Sequence, residues 1–289
     1  MPIPKSMRTS TLAKRLGTPV YQTLARGVVG LPGPPILANS PPKAGTHILS
    51  TLLGRLPRVM FSGRHYNPNE FRVGLPGQDV YAWEEIRKRY GRVRPGQFAT
   101  GHFPAAPEFQ EVLRDLGMRT IVIFRDPRDM VVSAAFYIRS LKRHPLHDVY
   151  RRFPSVSEAI DAAIAGVGPY PDGRGHPSIT DRVAAYLPWL DSPDVLTVRF
   201  EDLIGAAGGG SRALQLESVS AVASHVGRPL GEEQLERVCD LIFAPGSATF
   251  RKGQIGDWHN HLTDKQIDVL KEGLGAHLIR LGYESDYDW

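Results

Sequence analysis

Hydrophobic residues in this chain form short continuous runs separated by longer stretches with helical spacing. The clearest run, RTIVIF at 119–124, is rich in β-branched residues and uninterrupted, which is typical of a strand buried on both faces of a parallel sheet. VLTVRF at 195–200 has the same character. Shorter apolar runs at 36–40 and 98–101 predict two further strands.

Helical spacing fills most intervals between these runs. Helices are predicted over 46–56, 82–90, 108–116, 126–140, 156–165, 181–190, 213–226, 232–243 and 264–281. Segments 57–80 and 166–178 are rich in Gly and Pro and are predicted as loops. Strands that alternate with helices predict a single α/β domain with a central, mostly parallel sheet flanked by helices.

The composition fits one such domain. The chain has 289 residues, with 42% hydrophobic and 22% charged residues, which excludes a disordered chain, a collagen and a coiled coil. The single cysteine, Cys239, excludes an internal disulfide and a Cys-rich zinc module. No run approaches the ~20 apolar residues of a membrane span, and a secretory signal is not expected. We therefore predict a cytoplasmic protein.

Charge is distributed unevenly along the chain. The net charge is +5, and no Asp or Glu precedes Glu70, whereas nine Lys and Arg do. Such a basic front half suggests an anionic ligand, an anionic surface or a targeting tail. We predict a basic arm or peripheral helix over 1–34, followed by the folded domain over 35–289. Contact of this arm with a membrane surface stays open.

The loop after the first predicted strand has features of a phosphate site. Backbone N–H groups at a helix start and the helix dipole favour anions. Lys43 adds a positive charge, Gly45 lets the backbone approach a ligand, and the Thr46 hydroxyl can donate a hydrogen bond. The spacing is not that of the nucleotide-triphosphatase loop, and an ordinary turn with a surface lysine is the alternative.

Two further segments carry candidate anion ligands. Arg125 ends the RTIVIF strand and is expected at the same sheet edge as Lys43, where ligands gather in open α/β sheets. Surface ion pairs are the alternative for Arg125 and the expectation for Arg128 and Asp129. In FRKGQIGDWHN at 250–260, a basic cluster suits a terminal phosphate, although a solvated loop is the alternative. No metal is predicted, because the histidines there lack further ligands nearby.

Taken together, three segments resemble the signature regions of sulfotransferases that use 3′-phosphoadenosine 5′-phosphosulfate (PAPS). They are PPKAGTHIL (41–49), IVIFRDPRDMVVSAAF (121–136) and FRKGQIGDWHNHLT (250–263). The resemblance spans about residues 36–282. It implies a P-loop nucleotide-kinase-like fold, transfer of a sulfonate group to an acceptor hydroxyl or amine, no metal, and adenosine 3′,5′-bisphosphate (PAP) as the product.

The resemblance also implies residue roles. His102 would be the general base, assisted by Lys43 and Ser133. The cofactor-binding set would be Lys43, Ala44, Gly45, Thr46, His47, Ile48, Arg125, Ser133, Phe200, Phe243, Arg251, Lys252 and Gly253. Two members depart from the family pattern: Ile48 stands where a tryptophan commonly stacks on adenine, and Phe200 replaces a tyrosine. The family's dimerisation motif is matched only in part, so the oligomeric state stays open.

The acceptor is expected to be a small hydroxylated molecule. Aromatic side chains between the cofactor motifs are candidates for its pocket: Phe61, Tyr66, Phe71, Phe103 and Tyr137. A basic run over 139–152 could meet an acidic acceptor or form a solvated face. The alternatives are a sulfotransferase for carbohydrate or other large acceptors, a nucleotide or small-molecule kinase, and an inactive nucleotide-binding protein. Nucleic acid is not an expected partner.

Overall fold

The computed structural model describes residues 31–73, 80–170, 175–243 and 253–289. Almost all of the basic arm predicted over 1–34 lies outside these ranges, so the division of the chain at residue 34 stays a prediction. Arg251 and Lys252, two of the predicted phosphate ligands, also lie outside the described residues.

Five parallel strands form one sheet in the order β2-β3-β1-β4-β5. They are β1 (Ile36–Asn39), β2 (Met60–Tyr66), β3 (Gln97–Gly101), β4 (Arg119–Phe124) and β5 (Val195–Arg199). Helices lie between the strands along the chain, and the prediction of a single α/β domain with a central parallel sheet is confirmed.

The α-helices are numbered in chain order. They are α1 (Thr46–Leu53), α2 (Trp83–Tyr90), α3 (Pro107–Asp115), α4 (Pro127–Ser140), α5 (His147–Arg152), α6 (Val156–Ala165), α7 (Ile179–Ala184), α8 (Phe200–Ile204), α9 (Arg212–His225), α10 (Glu232–Ile242) and α11 (Asp264–Arg280). No helix of the described residues has the length and apolar character that a bilayer span requires.

The apolar strands are covered on both faces, as their composition predicts. Ile121 and Ile123 of β4 pack into one apolar cluster with α1, α8, α9 and α10. Val122, between them, packs into a second cluster with α2 to α7 and α11. Successive side chains of a strand point to opposite faces, so a continuous apolar run requires an apolar layer on each side of the sheet.

The prediction that residues 57–80 form one long loop is wrong. β2 lies inside this segment and pairs with β3 at the edge of the sheet. Its sequence, MFSGRHY, has no continuous apolar run, because an edge strand is only partly enclosed. Gly63 has a positive φ of 75°, and the pairing register shifts between Phe61 and His65. These features hide the strand from hydrophobic patterning.

Two helix predictions also need correction. The helix predicted over 181–190 stops with α7 and continues as a 3₁₀ turn over Leu187–Asp191, because Pro188 has no N–H to continue α-helical bonding. The short helix α5 lies where no helix was predicted.

The order of the strands determines where the site lies. Because β1 pairs in parallel with both β3 and β4, the loops that follow these three strands meet at the carboxyl edge of the sheet.

Candidate active site

The loop between β1 and α1 is a tight turn at the carboxyl edge of the sheet. Lys43 and Gly45 both have positive φ, 74° and 112°, and a non-glycine residue in this region of backbone space is uncommon. A Cβ atom on Gly45 would lie 2.8 Å from Phe200 Cδ2 and 3.0 Å from Ile123 Cδ1. Glycine is therefore required where the Phe200 ring closes against the loop.

His102 follows β3 directly and is held against this loop. Its Nδ1 lies 2.9 Å from the Ser40 carbonyl oxygen and 3.3 Å from Ser40 Oγ. The same Oγ lies 2.7 Å from Thr46 Oγ1. A carbonyl only accepts hydrogen bonds, so Nδ1 of the neutral ring carries the proton. Nε2 is then the basic nitrogen of His102.

The surroundings keep His102 uncharged at neutral pH. Burial is the main cause that lowers the pKa of His102 to about 4; nearby His65, Lys43 and His47 contribute to this value, while the hydrogen bond to Ser40 opposes the shift. A neutral imidazole with a lone pair on Nε2 can accept a proton. This is the state that a general base requires.

Lys43 lies over an aromatic ring of α4. Its Nζ is 3.7 Å from the centroid of the Tyr137 ring, which packs edge-on against His144 with ring centroids 5.7 Å apart. Burial lowers the pKa of His144, and Lys43 adds to the effect. The structure thus brings Tyr137, a predicted acceptor contact, to the lysine of the loop.

Arg125 extends from the end of β4 into the same edge. Its guanidinium stacks on Phe200 at 4.4 Å, and Nη2 donates to the Gln254 carbonyl oxygen at 3.1 Å. Nη2 also lies 3.4 Å from Asp129 Oδ2. The buried Nε has no hydrogen-bond partner among the described residues. An unused donor on a buried guanidinium fits a site that an anion completes.

Asp129 fixes the third signature segment against α4. Its Oδ2 accepts a hydrogen bond from the Gly256 N–H, and Oδ1 accepts one from the Trp258 N–H, both at 3.0 Å. Burial raises the pKa of Asp129, and Arg125 opposes this shift. The expectation of a surface ion pair for Asp129 is wrong, because the carboxylate is buried and joins two distant parts of the chain.

The same expectation is wrong for Arg128. Its guanidinium contacts the rings of both Trp258 and Trp289, 4.3 and 4.4 Å from their centroids, and the two rings also meet each other edge-to-face. It also pairs with Asp126 at 2.8 Å and with Glu284 at 2.5 Å. We refer to these five residues as the anchor cluster. It attaches the last residues of the chain to the start of α4.

The remaining predicted cofactor residues lie at several depths around this edge. Ala44 and Ile48 are buried, Thr46 is partly buried, and His47 is exposed. Ser133 is partly exposed on α4, eight residues after Arg125. Phe243 packs against the cluster that contains Phe200, and Gly253 begins the last described range.

Three of the five predicted acceptor aromatics are core residues. Tyr66, Phe71 and Phe103 are 4%, 2% and 0% exposed, and their rings pack against one another and against neighbouring aromatics. Phe61 packs on Phe98 with ring centroids 5.1 Å apart. Of the five, Tyr137 is the one that lies against a predicted catalytic side chain, Lys43, and acceptor binding by all five stays a prediction.

Sequence reasoning missed His65. Its ring lies edge-to-face with that of His102, with centroids 4.9 Å apart, and its Nδ1 is 2.9 Å from Thr100 Oγ1. Identification of β2 as the neighbour of β3 would have found it, because the two histidines then face each other across adjacent strands. In the parts of the chain that the structure describes, no group of three or more His, Cys, Asp or Glu could hold a metal.

Comparison with known sequences gives a consistent result. The family model described as "Sulfotransferase domain" matches residues 34–282. A curated relative, Sulfotransferase 6B1 from Danio rerio, is 25% identical over 185 residues, which cover 59% of this chain and 56% of the relative. The match thus spans little more than half of that relative's length.

Comparison with solved structures supports the same fold. The structure of mouse sulfotransferase SULT7A1 complexed with PAP has a TM-score of 0.59 and 18% identity, covering 86% of this chain and 88% of that chain. A structure of retinol dehydratase with androsterone and the inactive cofactor PAP has a TM-score of 0.50 and 16% identity, covering 89% and 85%. At these identities the likeness concerns the fold.

Proposed function

The chain belongs to the sulfotransferase family, and on that premise we propose that it transfers a sulfonate group from PAPS to the hydroxyl of a small molecule, with His102 as the general base. The observation that carries this proposal is the position of the His102 imidazole, whose Nδ1 lies 2.9 Å from the Ser40 carbonyl oxygen. The Ser40 carbonyl fixes its tautomer, and the Lys43 loop lies beside it.

The donor fits the edge of the sheet on two observations. Arg125 has a buried donor without a partner among the described residues, and the tight turn through Lys43 and Gly45, both with positive φ, leads directly into the N-terminus of α1, where anions are favoured. We assign Lys43, Gly45 and Thr46 to the 5′-phosphosulfate end. Arg125 and Ser133, with the segment that begins at Gly253, would hold the 3′-phosphate, and Arg251 and Lys252 belong to the same proposal. Bound PAPS supplies an activated sulfonate group.

His102 would activate the acceptor. A hydroxyl is a weak nucleophile at neutral pH, and Nε2 can accept its proton as the oxygen attacks, a contribution of roughly 10²–10⁴ in rate. In the imidazolium that forms, the Nδ1–H still donates a hydrogen bond to the Ser40 carbonyl oxygen, 2.9 Å from Nδ1. This contact stabilises the charged ring and holds its orientation.

Lys43 would stabilise the negative charge that develops on the departing phosphate oxygen. Preorganised positive charge at such a position is among the largest contributions an enzyme makes. The Tyr137 ring, 3.7 Å from Nζ, restrains the lysine by a cation–π contact. Ser133 lies on the same helix as Tyr137 and would engage the lysine until an acceptor arrives.

The proposal also includes an acceptor class and a cellular location. One structural neighbour was crystallised with androsterone, which supports a small-molecule acceptor. The lone Cys239 is buried and fits the reducing cytoplasm, which we propose as the location.

The first test removes the base. With sulfur-labelled PAPS and a library of hydroxylated small molecules, His102→Ala should lower transfer by about 10²–10⁴-fold and leave calorimetric binding of PAP unchanged. His277→Ala, which removes a histidine of α11, is the matched control and should keep full activity. A His102→Ala enzyme that turns over normally would refute the assignment of the base.

The nucleotide itself is tested by binding. The wild-type protein should bind PAP more tightly than AMP, because only PAP carries the 3′-phosphate that Arg125 would contact. Arg125→Ala should remove most of this preference. Equal affinity of the wild-type protein for PAP and AMP would contradict the proposed donor site.

A further inference from the structure

We propose that His65 is a second functional histidine of the active site, a positioning residue that controls whether His102 can accept a proton. This inference rests on the proposed role of His102 as general base. It assigns the acidic limit of the sulfonate-transfer activity to His65 rather than to His102.

The fold forces the two rings together. His65 lies on β2 opposite Thr100 of β3, and Tyr66 lies opposite Gly101, so His102 follows immediately at the same edge. The ring centroids are 4.9 Å apart with an interplanar angle of 78°. The hydrogen bond between His65 Nδ1 and Thr100 Oγ1, 2.9 Å long, holds the His65 ring in this orientation.

Charged and titratable side chains approach the two histidines from several elements of the fold. His102 is approached by Lys43 and His47 from the loop and from α1, and by His65 from β2. His65 is approached by His102 and, from the turn after β2, by Glu70. Glu70 therefore favours a proton on His65, whereas every cation near His102 disfavours a proton there.

The two histidines differ in access to solvent. His65 reaches the surface, while His102 is partly buried. Desolvation lowers the pKa of His65 from 6.5, against the raising effect of Glu70, and burial lowers the pKa of His102 to about 4. As the pH falls, His65 is protonated first. Two imidazolium rings in contact repel each other, so a charged His65 opposes proton transfer from the acceptor to His102.

The consequence is a measurable pH dependence. With His65 neutral, His102 can take the acceptor proton, and activity is full. Once His65 is charged, activity falls, although His102 itself is still unprotonated. The acid limb of kcat/KM should therefore lie between pH 4 and 6.5, above the pKa of His102.

The principal test is His65→Asn, with kcat/KM measured from pH 4.5 to 8.5. Asparagine keeps a polar group for Thr100 but cannot be charged. The acid limb should move down by about one pH unit, while activity on the plateau above pH 7.5 stays within about threefold of wild type. An acid limb that stays in place, or a plateau lost at every pH, would overturn the inference.

A second variant tests the same coupling without altering either histidine. Glu70→Gln removes the charge that favours protonated His65 and keeps an oxygen for the Asn67 N–H at 3.2 Å. The limb should move down by less than in His65→Asn, and the double variant should match His65→Asn alone. Glu108→Gln, the same change at an exposed position of α3, should leave the limb in place; a Glu70→Gln limb that also stays in place contradicts the coupling.

The outcomes separate this inference from the proposed function. If the wild-type protein transfers sulfonate and His102→Ala does not, the proposed function holds, and an unmoved limb in His65→Asn refutes only the role of His65. If His102→Ala keeps its activity, the general base itself is wrong. PAP binding by each variant verifies that the site is folded.

Discussion

His102 and Arg128 are both ionisable side chains enclosed near the same edge of the sheet, but their surroundings differ. His102 has cations and another imidazole as neighbours and is kept neutral. Arg128 has two carboxylates within 2.8 Å and contacts two indole rings, and it is kept charged. The first arrangement leaves a group ready to accept a proton, and the second supplies stability to the segments that meet there.

Glu201 is a third enclosed ionisable side chain, and its charge depends on the pH. Its two oxygens accept hydrogen bonds from the Asp126 N–H at 3.0 Å and from the Tyr283 hydroxyl at 2.9 Å. Burial is the main cause that raises the pKa of Glu201 to about 7; the Asp126 carboxylate contributes to the increase, and the hydrogen bonds from the Asp126 N–H and the Tyr283 hydroxyl oppose it. The anchor cluster therefore borders a group that changes charge near neutral pH.

The largest expected effect comes from Arg128→Ala. The variant leaves Asp126 buried without its ion-pair partner and removes the cation that both indole rings contact. Removal of one partner of a buried ion pair costs about 3–5 kcal/mol of unfolding free energy. Urea denaturation measures this cost. Arg237→Ala, which breaks the exposed pair with Glu233, should cause no comparable loss. A small effect at Arg128 would mean that the anchor cluster is dispensable.

Glu201→Gln should give an intermediate, pH-dependent effect. Because the pKa of Glu201 is raised from 4.5 to about 7 on folding, the folded protein binds the proton more tightly, and stability falls as the pH rises through this window. Gln cannot ionise, so the variant should gain on the order of 2–3 kcal/mol relative to wild type between pH 5 and pH 8.

Denaturation curves at the two pH values measure this difference. Glu217→Gln on the exposed face of α9 is the control and should follow wild type at both. If the stability of Glu201→Gln also equals that of wild type at both pH values, the Glu201 carboxyl group is ionised in the folded protein throughout this window. Burial would then not shift the pKa of Glu201 in the way that we infer for His102.

The smallest effect is expected at Trp289. Trp289→Ala removes one of the two rings that stack on Arg128, a cation–π contact of about 1–2 kcal/mol. Trp289→Phe keeps a ring and removes the buried Nε1, which has no partner in the described part of the chain, so it should be close to wild type. Equal losses in both variants would mean that stacking on Arg128 is not what Trp289 contributes.

The sequence predicts the central part of the sheet and fails at its edge. RTIVIF forms β4 over the predicted residues because both of its faces are buried. β2 was missed because, among the described strands, it pairs with β3 alone, and partial exposure permits Arg64 and His65 within the strand. A local hydrophobic pattern reflects burial, and an edge strand is less buried than a central strand.

The residues of the candidate site also divide into those that the sequence predicts and those that it does not. Lys43 and Arg125 follow adjacent strands, so the general rule for α/β sheets places them together without further information. Arg128 and Asp129 were misassigned to the surface because their partners, Trp289 and the N–H groups of Gly256 and Trp258, lie more than a hundred residues away. His65 could not be assigned a role until β2 was placed beside β3.

The position of β1 has a consequence for selectivity by size. His102 follows β3 and Arg125 follows β4, and β1 separates these strands, which corresponds to two interstrand spacings, or about 10 Å. Under our proposal, Arg125 meets the 3′-phosphate of the nucleotide at one end of this spacing, and His102 meets the acceptor hydroxyl at the other. An acceptor must then reach His102 without occupying the part of the edge that the nucleotide needs, which would limit its size there.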